Sequence, residues 1–178
     1  MTLTLHVPPT AGAPALTLRP WRDADVEAVL AAYEDASLQR WLAAQARTRE
    51  EAERWVASQH EGWATGLRLG FAITEAGGPP LGHVTLKRRS TAAPEAEAGY
   101  WTTNAARGRG IAPRALTRVT EWGFTDLGLA RVQLIHAVEN EASCRVAQKS
   151  SFALAEVYPP HPPKWPGPAH LHVRAAEG

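Results

Sequence analysis

Residues Ala98 to Arg114 constrain this chain more than any other stretch. The run Ala98-Gly-Tyr-Trp-Thr-Thr-Asn-Ala-Ala-Arg107-Gly-Arg-Gly110-Ile-Ala-Pro-Arg114 predicts a strand that enters an arginine- and glycine-rich turn and then opens a helix. Gly108 and Gly110 carry no Cβ, so the backbone can turn sharply and bring its N–H groups up to a ligand. A helix starting near Gly110 leaves its first N–H groups without intrahelical partners and presents the positive end of its dipole, which suits a pyrophosphate. Pro113 agrees, because proline fits a helix's first turn, where no N–H is needed. Arg107, Arg109, Arg114 and Arg118 follow with no acid before Glu121, in a chain of net charge +1. The positive charge is local along the sequence.

Two familiar phosphate loops do not fit. A Walker-type loop needs Lys and then Ser or Thr after its last glycine, where Ile111 and Ala112 stand; a dinucleotide fingerprint needs glycine at position 113, which is Pro113. Arg107, Gly110 and Ala112 do meet the pattern Gln/Arg-x-x-Gly-x-Gly/Ala, although these few residues alone are equally compatible with a solvated basic turn. The pattern resembles the acyl-coenzyme A loop of the GNAT superfamily of N-acetyltransferases. Farther on, a β-rich run from Gly128 to Val138 leads into Asn140, Ser143, Lys149 and Phe152, similar in spacing to the second GNAT signature. Ser151 stands where that signature has glycine, which predicts a local cost at the helix end, because glycine is the residue best suited to a left-handed C-cap. Leu16 to Asp25, Gly99-Tyr-Trp101, Trp122-Gly-Phe124 and Leu127-Gly-Leu129 resemble the RimJ/RimL-like branch of ribosomal-protein acetyltransferases.

The resemblance implies a mixed α/β (α+β) acyltransferase fold, with a central, mostly antiparallel twisted sheet flanked by helices. It implies acetyl-CoA as co-substrate and direct acetyl transfer to an amine, on a protein N-terminus or a small aminoacyl-type molecule. Trp101, Thr102, Thr103, Arg107, Gly108, Arg109, Gly110, Ile111, Ala112, Asn140 and Ser143 are then the expected cofactor contacts, with an oxyanion-holding backbone N–H near Trp101 to Thr103. Ser143 is the candidate proton donor to the departing thiolate and Asn140 its companion. The tyrosine that many relatives carry in the helix after this strand has no counterpart here. For the base that frees the amine's lone pair, Glu97 is the first candidate, ahead of His136, His83 or water alone. A domain that binds acetyl-CoA as a sensor or scaffold without catalysis is the alternative.

Length and composition fit one domain spanning residues 1–178, with 44% hydrophobic and 21% charged residues. No run of about 18 apolar residues is present, and the expected location is cytoplasmic, with no membrane partner. Balanced charge, 19 basic against 18 acidic residues, argues against direct nucleic-acid binding. A monomer or homodimer is expected. Cys144, the single cysteine, cannot form an internal disulfide and reads as a small buried hydrophobe. His170 and His172 lie two apart on one strand face, but with no Asp or Cys near in sequence no metal is expected.

The periodicities predict strands at 15–20, 67–74, 81–87, 95–102, 130–138 and 152–158, and helices at 110–126 and 141–149. Two more helices follow from local signals: one capped by Asp23 with Val26, Val29, Leu30 and Tyr33 inward, and one opened by the capping box Thr48-Arg-Glu-Glu51, with Ala52, Trp55, Val56, Gln59 and Trp63 at helical spacing. Residues 159–168 are too proline-rich for helix or central strand and read as a stiff extended loop. His161 and Trp165 there are candidate substrate contacts, against the plainer reading of a connector with an anchoring tryptophan. His170 to Arg174 alternates as a possible edge strand.

Overall fold

The computed structural model describes residues 3–42, 46–162 and 166–177. Among them the elements run β1 (Leu5–Val7), β2 (Leu16–Pro20), α1 (Val26–Tyr33), α2 (Ala36–Trp41), α3 (Arg49–Thr65), β3 (Arg68–Thr74), β4 (Gly82–Lys87), β5 (Glu95–Thr102), α4 (Ile111–Asp126), β6 (Arg131–Ala137), α5 (Glu141–Lys149), β7 (Ala153–Tyr158) and β8 (Ala169–Ala175). The strands form one eight-stranded sheet in the order β1-β2-β3-β4-β5-β6-β8-β7. Every neighbouring pair is antiparallel except β5 and β6. The sheet is the mixed, mostly antiparallel one expected.

Strand alternation divides the apolar side chains between the two faces. Phe71, Ile73, Val84, Leu86, Ala96 and Ala98 join Ile111, Leu116, Val119 and Trp122 of α4 in one core. Ala72 and Trp101 turn the other way, onto Val29 and Tyr33 of α1 and Val56 of α3. Burying both faces is what lets the central strands be apolar on successive residues.

Local signals placed most helix ends. Thr48 and Glu51 form the capping box of α3, and Asn140 caps α5, its side chain accepting from the Ser143 N–H. At α1 the capping residue differs from expectation. Asp23 lies in a short 3-10 turn with its side chain exposed, and Asp25 flanks the helix instead. The carboxylate of Asp25 is drawn inward by Arg19, which donates to both of its oxygens at 2.7 and 2.8 Å.

Three elements depart from the sequence reading. β1 and α2 are too short for their periodicity to stand out. The strand at the chain's end is not at an edge: β8 lies between β6 and β7, paired along its length with β6, and β7 takes the edge. Alternation reports which residues share a face and says nothing of strand order.

Ser151 has φ of 62°. Its N–H donates to the Gln148 carbonyl, and the Phe152 N–H donates to the Ala147 carbonyl at 3.0 Å, the paired bonds of a Schellman C-cap. Glycine would adopt this left-handed conformation without strain, offset in part by its greater freedom when unfolded. Ser151→Gly is expected to stabilise the protein by about 0.5–1 kcal/mol, a rise of about 1–4 °C in Tm by calorimetry.

Candidate functional site

β5 and β6 hold together only where Glu95–Ala98 pairs with Arg131–Leu134. Beyond that point β5 stays with β4 as far as Thr102, and β6 stays with β8 as far as Ala137. The two strands therefore part, and a wedge opens in the middle of the sheet. The edges of Gly99–Thr102 and Ile135–Ala137 that face it carry peptide groups outside any ladder between β5 and β6, and such groups call for another partner. An extended ligand with amides of its own suits such an edge.

At the wide end of the wedge, β5 runs through a 3-10 turn at Asn104–Ala106 into the loop 107–110. Gly108 and Gly110 have φ of 74° and 69°, the left-handed region that glycine adopts most readily. Gly110 is the N-cap of α4, supplies no side-chain cap, and is followed by no acid in the first turn. The helix start is thus left open for an anion. The arginines are arranged differently from what their sequence suggests. Arg107 pairs with Asp35 at 2.8 Å, and Arg109 donates to both oxygens of Glu75 at 2.7 and 2.8 Å. Arg114 donates to the carbonyls of Pro8 and Pro14, and Arg118 to that of His6. Burial works against ionisation of Asp35, yet the bonds from Arg107 and the Ser37 N–H outweigh it and hold its pKa below the ordinary value. The backbone N–H groups and the helix dipole, more than free arginine charge, give this helix start its positive character. A depression of about 350 Å³ adjoins it, lined by Ala28, Ala32 and Asp35 on one side and Pro79, Thr103 and Asn104 on the other.

Across the wedge, the Ser143 hydroxyl is 2.7 Å from that of Tyr100. Ser143 is buried in the first turn of α5, its N–H held by the Asn140 side chain at 3.1 Å. Tyr100 comes from β5, just past the point where the strands separate. Burial pushes its pKa up to about 12, against the smaller opposing effect of the Ser143 bond, so the pair keeps its protons at neutral pH. The helix after β6 carries no tyrosine, and the fold supplies one from the other side of the wedge. Only the parity of Tyr100 with Ala96 and Ala98 hinted at the face it shares.

The remaining predicted residues fall in other surroundings. Glu97 alternates to the opposite sheet face from Tyr100 and accepts from Lys87 at 3.2 Å, both side chains being partly exposed. The Trp101 side chain packs in an aromatic cluster with Trp21, Trp55 and Tyr33, at centroid distances of 5.9, 6.2 and 6.1 Å, while its backbone edges the wedge. Thr103 donates through its N–H and its hydroxyl to the Leu81 carbonyl, and Thr102 ends β5. His83 is buried, and its Nδ1 accepts from Trp21 Nε1 at 3.0 Å. Burial, with the nearby Lys87 and Arg68 charges, drives its pKa down to about 3, so its proton affinity is too low for a base acting near neutrality. His161 is exposed, and Trp165 lies outside the described residues.

The largest departure concerns the histidines of β6 and β8. His136 and His170 are cross-strand partners, His172 follows on the same face, and Cys144 reaches them from α5. The expectation that no metal is held rested on two histidines without a further ligand near in sequence; the fold assembles four potential ligands. Cys144 likewise has His172 Nε2 at 3.8 Å from its sulfur, where the sequence showed no Cys–His arrangement. Burial lowers the pKa of both His136 and His172.

The protein-family model for the acetyltransferase (GNAT) domain matches residues 15–153. No curated protein sequence matches the chain. Among solved structures, Mycobacterium smegmatis RimJ in complex with CoA-disulfide superposes with a TM-score of 0.82 at 22% identity, over 98% of this chain and 87% of that one. RimL, the ribosomal L7/L12 alpha-N-protein acetyltransferase, in complex with coenzyme A, gives 0.82 at 20% identity, over 96% and 97%. The microcin C7 self-immunity acetyltransferase MccE, in complex with acetyl-CoA and AMP, gives 0.80 at 17% identity, over 90% and 92%. Among the described residues, no helix is long and apolar enough to cross a membrane.

Proposed function

The chain belongs to the GNAT acetyltransferase family, and from that premise we propose that it transfers the acetyl group of acetyl-CoA directly to an amine. The observation that carries this reading is the wedge between β5 and β6, with an uncapped, glycine-started helix at one end and the Tyr100–Ser143 hydroxyl pair at its side. The N–H groups at the start of α4 hold the pyrophosphate, and the free edge of β5 pairs with the amides of the pantetheine arm. A backbone N–H near Trp101 to Thr103 holds the carbonyl oxygen as negative charge develops there. The Tyr100–Ser143 pair returns a proton to the thiolate, which needs little help, since a thiol's ordinary pKa is about 8.5. Asn140 fixes Ser143 by capping α5. Water carries the amine's proton away, because Glu97 is bound to Lys87 and His83 to Trp21, and burial lowers the proton affinity of His136.

The acceptor is an α-amino group, on a protein N-terminus or a small aminoacyl compound. Supporting this are the RimL-like architecture and the acceptor named for RimL itself. Incubating the protein with acetyl-CoA and a panel of N-terminal peptides and amino compounds, while following free thiol, tests the reading. Thiol release with α-amino acceptors is the expected result; tight acetyl-CoA binding without release would favour a sensor or scaffold instead.

Gly110→Asp places a carboxylate at the helix start, where the pyrophosphate would lie. Acetyl-CoA affinity measured by calorimetry is expected to fall by roughly 10- to 100-fold from charge repulsion. Unchanged affinity would remove the loop from the binding site.

A further inference from the structure

Two strands and a helix bring His136, Cys144, His170 and His172 together so that one potential ligand atom from each lies within 4.8 Å of the others. We propose that these four side chains form a tetrahedral site for Zn²⁺ or a similar transition-metal ion, joining α5 to β6 and β8 beside the hydroxyl pair.

The donor set is the first reason. Three imidazoles and one thiolate match the ligand types that zinc prefers in closed four-coordinate sites. Their hydrogen bonding is the second. His136 Nδ1 lies 2.8 Å from the Ala137 carbonyl, which can only accept, so Nδ1 carries the proton and Nε2 keeps a lone pair. That Nε2 is buried without a hydrogen-bond partner. A backbone carbonyl fixing one imidazole nitrogen while the other faces the cluster is a common support for a metal ligand. Nδ1 of His170 is also buried and unpartnered. Four polar side chains in one small volume thus satisfy few of one another's hydrogen-bonding needs. A shared cation would take up one lone pair from each of them and so lower that cost.

Geometry is the third reason. His136 and His172 stack with their ring planes 19° apart and centroids at 5.1 Å, and His170 stands edge-on to both. Zinc bonds of about 2.0–2.3 Å set ligand atoms about 3.4–3.6 Å apart in a tetrahedron, so closing the site draws these atoms together by about 1 Å. Side-chain torsions supply such a movement. Cys144 and His170 are partly exposed and give the ion a route in. Binding replaces the Cys144 Sγ–H bond with a metal–sulfur bond and releases the proton to solvent. Since Cys144 follows Ser143, the ion would hold the first turn of α5 against the sheet. It would thereby position the serine without touching the reacting atoms.

The protein, stripped with a chelator and dialysed, is titrated with Zn²⁺ by calorimetry and with Co²⁺ by absorption. One ion per chain is expected. Cobalt should show the visible bands of a tetrahedral ion and a thiolate charge-transfer band. Cys144→Ser should lose that charge-transfer band. Cys144→Ser and His170→Gln should each weaken Zn²⁺ by more than the roughly 10- to 100-fold that follows loss of an outer-shell partner. Saturating Zn²⁺ at a hundredfold excess over Kd should raise the wild-type Tm by about 5 °C or more, and the two variants far less. Both substitutions are at partly exposed positions, and circular dichroism checks that the variants fold. Lack of saturable one-to-one binding by the wild-type protein would overturn the proposal, as would equal affinity in both variants. These readouts do not involve acetyl transfer, so they stand or fall separately from the proposed activity.

Discussion

Asp25→Ala is expected to destabilise the fold by about 3–5 kcal/mol, because it leaves a largely buried guanidinium without its counter-ion. Arg19 and Asp25 are joined by two bonds, and the side chains are only 12% and 7% exposed. The same carboxylate accepts from the Arg22 N–H at 2.9 Å, which ties the end of β2 to the start of α1. Burial raises the cost of charge on Asp25, but the Arg19 bond, the Arg22 N–H and the neighbouring positive charges outweigh it, and the pKa is held below its ordinary 3.8. A group with a depressed folded-state pKa stabilises the fold fully above its unfolded value and loses that contribution as pH falls through the folded one. The difference between wild type and Asp25→Ala in urea unfolding should therefore be full at pH 7 and shrink on acidification below about pH 4. A difference under about 1 kcal/mol at pH 7, the range of a surface pair, would show that the bridge is not the buried clamp described.

Ser143→Ala is expected to lower kcat roughly 10- to 100-fold, with the KM for acetyl-CoA nearly unchanged, if the hydroxyl pair protonates the leaving thiolate. Tyr100→Phe should produce a loss of similar size, because it removes the other half of the same 2.7 Å contact. The double variant should be little worse than either single one, as expected for groups acting as a unit. With Tyr100 pushed up to about 12, the donor should persist through the neutral and mildly alkaline range. Steady-state kinetics on the three variants provide the check. An undiminished kcat in Ser143→Ala, or losses that multiply in the double variant, would remove the pair from the proton path.

Features legible in the sequence share a physical basis. The capping box at Thr48 and Glu51, the Asn140 cap, the left-handed glycines 108 and 110 and the awkward Ser151 all depend on residues within a turn or two of one another. Short elements escaped because three residues at Leu5–Val7 or six at Ala36–Trp41 do not establish a period. The interior place of β8 escaped because alternation is the same for an edge and a central strand.

Sequence alone determined the order of the main elements and the open start of α4, since each is fixed by local backbone preference and apolar periodicity, and the fold class followed from the resemblance its motifs carry. Tertiary structure decided which side chains meet. Tyr100 reaches Ser143 across 43 residues of chain, Glu75 balances Arg109 across 34, and three histidines gather around Cys144. Those encounters depend on the parting of β5 from β6 and on the insertion of β8 between β6 and β7. Long-range strand pairing settles both, and no short stretch of sequence encodes it.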